Sequence, residues 1–301
     1  MHSWGPTDGP LGPLPGALAD VAAAGFSGVL TVIGAPGGTI HLAGGGITAV
    51  ETPWSPSAEV ILLRSGRVPE ADWEAAFTAA AVARGHMRTE LVSRGLLGAG
   101  ELEAVLRTAL ADAMFAFAAG FVDSCRADEG KPDHVLPLEP AADAGWLVAE
   151  ALRRMHVLAT FPDPPSRPRE RVTAVPGAAR PGEVLGGGRD EILALADGRR
   201  TSRDLAFALG RGLYVTMLQV ARMRGEGLIT PAAQGMVPAA ADEDQAGTAS
   251  PDATAAGLPR RQKDRPAQPA RTGDLPSRPL PSVLRRLRPR SEGQPQPRDT
   301  E

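Results

Sequence analysis

Apolar and β-branched residues form three short runs near the start of the chain, at 26–33, 38–43 and 47–52. Each run has the length and composition of a β-strand. The triplet Gly44-Gly45-Gly46 separates the second run from the third, and glycine takes positive φ angles in turns without steric cost. The pattern therefore predicts a small antiparallel meander.

Helical periodicity follows these strands. Ser57 and Asp72 stand where each could cap a helix. The clearest helix begins near Gly100, where apolar residues recur at i, i+3, i+4 and i+7 on one face. Residues 121–126 read as a returning strand, and residues 144–158 as another amphipathic helix.

An internal repeat lies within the helical part. Residues 62–74 align without a gap on residues 91–103, at an offset of 29 residues. Each copy reads as a helix, a turn at Gly66 or Gly95, and a new helix. Two copies predict a pair of helical hairpins packed together, because a solenoid needs at least three.

The C-terminal half divides into a linker, a small domain and a tail. Residues 162–182 hold six prolines, and residues 186–231 read as three short helices and a terminal strand. Thr201 and Asp204 have the spacing of a capping box. We predict a disordered N-terminus (1–15), an α+β domain (16–160), a Pro-rich linker (161–185), a small domain (186–231) and a disordered tail (232–301).

The charge distribution supports this division. The whole chain has a formal net charge of −3, yet residues 260–290 hold ten basic and two acidic residues. Residues 232–301 contain eleven prolines and no Phe, Trp or Tyr, so they bury too little apolar surface to offset the entropy of ordering. We expect the tail to contact an anionic partner through Arg285, Arg286, Arg288 and Arg290.

The cysteine content and the apolar runs bear on location. Cys125 is the single cysteine, which fits a reducing compartment and a packing role for this side chain. The N-terminus lacks the basic and apolar regions of a signal peptide, and the longest apolar run, 113–122, is too short to span a bilayer. We expect a soluble, cytoplasmic protein.

Catalytic patterns are absent from the sequence. The five histidines, His2, His41, His86, His134 and His156, show no metal-ligand spacing and no nearby acid pair. The glycine clusters at 34–38 and 186–188 match neither nucleotide-binding fingerprint, so we interpret them as turns. We expect no enzyme activity, no metal and no cofactor.

The first ~160 residues resemble the PATAN family, the PatA N-terminal-like domains of bacterial signalling proteins. The matching segments are 28–32 (Gly-Val-Leu-Thr-Val), 39–42 (Thr-Ile-His-Leu), 46–51 (Gly-Ile-Thr-Ala-Val-Glu) and the helices after Ser57. The repeat also looks like the helical segment that opens type II secretion ATPases. These resemblances imply an interaction domain that binds a regulatory or signalling protein.

Residues 186–231 resemble a winged helix-turn-helix of the MarR-like type. The pattern comprises 192–195 (Ile-Leu-Ala-Leu), 198–201 (Gly-Arg-Arg-Thr), 205–206 (Leu-Ala), Val215, Leu218 and 227–229 (Gly-Leu-Ile). The sequence after Ile229, Thr-Pro-Ala-Ala-Gln-Gly-Met-Val-Pro, lacks the basic residues expected of a wing. The resemblance implies DNA contact near the third helix, for which the candidates are Arg199, Arg200, Arg203, Arg211, Thr216, Gln219 and Arg222.

Two functions follow from these patterns. The first is a non-enzymatic bacterial transcriptional regulator with an interaction domain and a DNA-binding domain. The second is an adaptor or scaffold in a signalling or secretion system that binds protein and not DNA. Residues 189–230 hold seven basic and five acidic residues, a weak footprint for phosphate contact, so both remain open. The fold class expected in either case is α+β.

Overall fold

The structure, a computed structural model, describes residues 2–83, 85–130, 134–164, 168–178 and 185–232. Met1–Gln234 form one compact unit. The predicted disordered tail, with Arg285, Arg286, Arg288 and Arg290, lies outside the described residues beyond Ala232. Within the described ranges, no helix has both the length and the apolar character needed to cross a bilayer.

A five-stranded antiparallel sheet organises the N-terminal part of the chain. Its strands are β1 (His2–Trp4), β2 (Gly28–Ala35), β3 (Gly38–Ala43), β4 (Gly46–Glu51) and β5 (Phe121–Glu129). The order across the sheet is β1-β5-β2-β3-β4. The predicted meander is confirmed as β2-β3-β4, and the predicted returning strand is confirmed as β5.

The N-terminus differs from the sequence-based expectation of disorder over residues 1–15. His2 pairs with Ala127 and Trp4 with Cys125, so β1 extends the sheet at β5. Leu11 is buried, and helix α1 begins at Leu14 and runs as Leu14–Ala23. Apolar side chains among the glycines and prolines reach the core, and their burial offsets the ordering of this segment.

Five further helices belong to this part of the chain: α2 (Ala58–Arg64), α3 (Glu70–Ala83), α4 (Met87–Ser93), α5 (Ala99–Ala118) and α6 (Ala144–Ala159). The predicted cap at Ser57 is confirmed, since its side chain accepts a hydrogen bond from the backbone N–H of Val60 at 3.3 Å. The predicted cap at Asp72 is wrong. Helix α3 already begins at Glu70, and the Asp72 N–H donates to the carbonyl of Pro69.

The 29-residue repeat is confirmed position by position. Helix α2 ends at Arg64 and α4 at Ser93, while α3 begins at Glu70 and α5 at Ala99. Gly66 and Gly95 between them have φ angles of 72° and 68°, a left-handed conformation that favours glycine. The buried residues match as well, in the pairs Leu62 and Leu91, Val68 and Leu97, and Trp73 and Leu102.

Helix α5 is the central helix of the fold. Every residue from Ala109 to Ala118 is buried, which is typical of a helix enclosed on all sides. Leu110 and Met114 belong to the main core with the sheet and α1 to α4. Phe115 and Ala116 belong to a separate cluster that faces the C-terminal part of the chain.

The C-terminal part has its own small sheet. Its elements are β6 (Arg171–Ala174), α7 (Arg189–Leu195), β7 (Asp197–Thr201), α8 (Ser202–Leu209), α9 (Leu213–Gly225) and β8 (Ile229–Pro231), with strand order β7-β6-β8. The predicted linker 161–185 therefore contains a strand. Val172 anchors it, because this side chain is fully buried in a core with Ile192 and Leu205. The capping box of Thr201 and Asp204 is confirmed.

Candidate functional site

Helix α9, the predicted DNA-recognition helix, lies between two hydrophobic clusters. Leu213, Met217 and Ala221 pack in one cluster with Phe115 of α5 and Leu158 of α6. Residues on another side of the helix, Val220 and Met223, belong to the small C-terminal core. The helix exposes only Val215, Arg222 and Gly225. Helix α9 therefore joins the N-terminal part of the fold to the C-terminal part. We call the junction of α9 and its flanking elements with the N-terminal part, chiefly α5 and α6, the seam.

Thr216 does not have the position that the DNA-binding prediction requires. Its side chain is 1% exposed, and its hydroxyl donates to the backbone carbonyl of Gly212 at 2.9 Å. A buried hydroxyl that bonds within its own helix cannot reach a base edge. The assignment of Thr216 to a DNA contact is corrected accordingly.

Three of the predicted arginines make contacts within the protein. Arg200 donates to Asp197 and to the carbonyl of Leu195. Arg203 donates to the carbonyl of Pro53 at 2.7 Å, across the seam. Arg211 donates to Glu191 at 2.6 Å and to the carbonyl of Gly188. Each of these guanidinium groups therefore contacts other residues of the fold.

The remaining candidates lie nearer the surface. Arg199 and Arg222 are exposed and Gln219 is half-buried. Within the described part of the chain, neither guanidinium group takes part in an ion pair. Of the seven predicted positions, these three make no side-chain hydrogen bond or ion pair within the described residues.

A buried ion pair lies at the centre of the seam. Asp112 of α5 is 1% exposed and accepts a hydrogen bond from Nη1 of Arg154 of α6 at 2.5 Å. Burial raises the pKa of Asp112 to about 6, although Arg154 and the backbone N–H groups of Leu213 and Tyr214 oppose that rise. Asp112 Oδ2 has no hydrogen-bond partner of good geometry, so these N–H groups act on it chiefly as nearby dipoles.

Residues of α9 are shaped around this ion pair. A Cβ atom on Gly212 would clash with Oδ2 of Asp112, so only glycine allows the chain to approach this closely. The Tyr214 ring lies 4.8 Å from the Arg154 guanidinium and 5.4 Å from the Phe115 ring, in cation–π and edge-on contacts. The start of α9 therefore packs against both α5 and α6.

A second buried arginine ties the end of α9 to the segment before β6. The Arg224 side chain is 4% exposed and donates to both carboxylate oxygens of Asp163 and to Glu170. Bidentate arginine–carboxylate contacts are among the stronger polar contacts in proteins. Arg224 was not among the DNA-binding candidates. Because its side chain is buried, we assign it a structural role.

The structure also brings together two histidines and a glutamate that the sequence analysis left apart. Glu51 of β4 lies 3.3 Å from His41 Nε2 and 3.6 Å from His134 Nε2, and the two rings are 5.3 Å apart. Hydrogen bonds from both imidazoles hold the Glu51 pKa far below its usual range. His41 Nδ1 is buried without a partner in the described structure.

The strand register could have revealed half of this cluster. Thr39 pairs with Glu51 and His41 with Ala49, so His41 and Glu51 are diagonal neighbours on one face of a predictable hairpin. His134 comes from a distant loop, for which the local pattern gives no signal. Among the described residues, no three His, Cys, Asp or Glu side chains are grouped so that they could hold a metal ion.

Cys125 has the packing role expected for it. The residue is 1% exposed in the main core, and burial raises the pKa of its thiol to about 11. A thiol with that pKa stays protonated at neutral pH, which removes its nucleophilic form.

Comparison with known proteins finds no matching family model, no similar curated protein and no similar solved structure. The likenesses to PATAN domains and to winged helices thus remain predictions. The site that the geometry defines is the seam, where α5, α6 and α9 meet around Asp112 and Arg154.

Proposed function

We propose that this chain is a non-enzymatic, cytoplasmic regulatory protein that acts by binding another protein and not through DNA contacts of α9. The burial of α9 in the seam carries the proposal. A recognition helix places its N-terminal residues in the major groove. Here Leu213 and Thr216, in the first turns of α9, are 0% and 1% exposed.

The contacts of α9 make this burial costly to undo. A DNA duplex that reached its first turn would have to separate α9 from α5 and α6, which would expose Phe115 and Leu158 to water. Exposing one large buried apolar side chain costs about 1.5–3 kcal/mol. This penalty would oppose DNA binding through α9 whatever the DNA sequence.

Exposed apolar side chains elsewhere support a protein partner. Trp146 and Leu152 on α6 are 48% and 39% exposed, and Phe121 at the start of β5 is 61% exposed. Tryptophan is enriched among the residues that dominate protein–protein affinity. The resemblance of the N-terminal part to PATAN domains agrees with this proposal.

Site-specific cross-linking tests it. A photoreactive residue replaces Trp146 or Phe121 in the intact chain, and a third variant carries it at Val82, an 82% exposed position on α3, as the control. We expect one discrete protein adduct at Trp146 or Phe121 and none at Val82. For Trp146, adding Leu152→Glu should abolish the adduct. Absence of an adduct at both test positions would contradict the proposal.

A DNA-binding transcriptional regulator is the second candidate. The exposed Arg199 of β7 and the exposed Arg222 of α9, with the half-buried Gln219 also on α9, favour it. In that case contact would come from the outer side of α9 and from β7, and phosphates would be the main target.

A further inference from the structure

A cleft of about 650 Å³ opens along the seam, between the C-terminal end of α2 with α5 on one side and the turn between α8 and α9 on the other. A volume of this size suits a small-molecule ligand. The cleft is separate from the His41–Glu51–His134 cluster and from Trp146, Leu152 and Phe121, while the exposed Val215 of α9 lines it. Neither the proposed protein contact nor a DNA contact through Arg199 and Arg222 uses it.

The charged groups that line the cleft are mostly basic. They are Arg64 at the end of α2, Arg67 after it, Arg211 before α9, and Glu191 of α7. Three guanidinium groups against one carboxylate give the lining a formal charge of +2. The seam carboxylate Asp112 lies close to Gly212 in the cleft wall, but Arg154 neutralises it from the other side. The cleft therefore favours an anion.

The three arginines differ in how firmly they are held. Arg211 is fixed by Glu191 and the Gly188 carbonyl. Arg67 lies 3.8 Å from Glu101, a loose and exposed pair. Arg64 is exposed and forms no ion pair within the described residues. Exposed ion pairs of this kind contribute little, so a ligand with two or more negative charges can replace the carboxylates.

The guanidinium groups also indicate which anion fits. A planar guanidinium fork matches the oxygens of phosphate in a bidentate manner, and several arginines around one cleft are the usual arrangement for phosphate groups. Thr108 and Ser65 line the same cleft, but their hydroxyls already donate to the carbonyls of Ala104 and Leu62, so the guanidinium groups are the main donors for a ligand.

We propose that the seam cleft binds a small molecule carrying a diphosphate or longer phosphate chain, held by Arg64, Arg67 and Arg211. This inference stands apart from the identity of the macromolecular partner. Gly210 lies so close to the backbone of Arg64 and Ser65 that a Cβ atom there would clash. A ligand beside this contact touches both α2 and the α8–α9 turn, so its binding stabilises the seam.

Isothermal titration of the intact chain with inorganic pyrophosphate tests the proposal. We expect saturable binding that weakens by about tenfold or more in Arg64→Ala and in Arg211→Ala, since each loses charge-assisted hydrogen bonds. Arg107→Ala is the matched control, because Arg107 of α5 pairs with Glu103 and does not line the cleft. It should bind as the unaltered chain does. Arg64 is exposed and has no ion-pair partner among the residues that the structure describes, so Arg64→Ala keeps the test valid if Arg211→Ala does not fold.

Two further arms separate the cleft from other anion contacts. A variant with alanine at Arg285, Arg286, Arg288 and Arg290 should bind pyrophosphate as before, and sulfate at matched ionic strength should bind much more weakly. Backbone amide signals of Thr108 and Gly212 should shift during the titration. No binding, equal binding of sulfate, or loss of binding in the tail variant with retention in Arg64→Ala would each overturn the proposal.

Discussion

Asp112 of α5 and Arg154 of α6 form an ion pair whose side chains are 1% and 12% exposed, directly at the start of α9. The pair joins two helices of the N-terminal part to the first turn of a helix from the C-terminal part. Glu150 also accepts hydrogen bonds from Arg154 and from the exposed Arg153. The seam therefore contains a buried polar contact beside the apolar cluster of Phe115.

Removing the carboxylate from this pair should destabilise the whole fold. Asp112→Ala removes one of the two carboxylates that Arg154 contacts and leaves it with Glu150, so we expect a loss of about 3 kcal/mol, at the lower end for a broken buried pair. Chemical denaturation measures the loss. The control is Glu103→Ala, which removes a carboxylate of the same helix from a surface pair with Arg107 and should cost less than about 1 kcal/mol. Equal effects of the two substitutions would contradict the account.

The raised pKa of Asp112 predicts a pH dependence of known sign. The folded pKa is about 6 and the ordinary value is 3.8, so the folded state holds the proton more tightly than the unfolded state. Stability from this group is present below about pH 4 and falls by an amount on the order of 3 kcal/mol as the pH rises through 6. The unfolding free energy of the unaltered chain minus that of Asp112→Asn should fall in the same way as the pH rises through 6. A difference independent of pH would refute it.

Glu51 predicts the opposite dependence. Its folded pKa lies far below the ordinary value of 4.5, because His134 and His41 hydrogen-bond to the carboxylate. The stability it contributes is present above about pH 4.5 and is lost as the pH falls further below that value. Glu51→Gln should be less stable than the unaltered chain at neutral pH, and the gap should narrow with acidification. Glu129→Gln, at an exposed position of β5, serves as the control.

The repeat predicts matched effects at its two glycines. Gly66 and Gly95 have left-handed φ angles, and a Cβ atom at either would meet no neighbour within 4 Å. Alanine there should cost roughly 1–2 kcal/mol from backbone conformation alone, and the two costs should agree. Gly100→Ala, inside α5 with open space around it, should instead stabilise the protein by roughly 0.5–1 kcal/mol. Thermal or chemical denaturation shows whether each substitution raises or lowers the stability of the protein.

The local parts of this fold could be read from the sequence. The meander, the returning strand, the capping residues Ser57 and Thr201, and the 29-residue repeat depend on contacts between residues close in the chain or on simple periodicity. Alternating and helical apolar patterns carry that information directly. The overall α+β class follows from these elements.

The parts that could not be predicted depend on distant segments. Strand β1 forms because β5, more than a hundred residues later, offers its edge, and β6 forms because β7 and β8 flank it. The burial of Thr216 depends on the packing of α9 in the seam, and the pairing of Asp112 with Arg154 depends on the packing of α5 against α6. The periodicity of a helix shows which face is buried but not which helix covers it. His134 reaches Glu51 only through tertiary structure.

The most direct test of the central claim, that α9 is held in the seam and does not bind DNA, is anisotropy of labelled duplex DNA titrated with the intact chain over a range of salt concentrations. We predict that any binding at low salt is lost as salt rises, disappears when Arg285, Arg286, Arg288 and Arg290 are replaced by alanine, and is unchanged in Arg199→Ala with Arg222→Ala. Binding at physiological salt that the double variant abolishes and the tail variant keeps would contradict the claim.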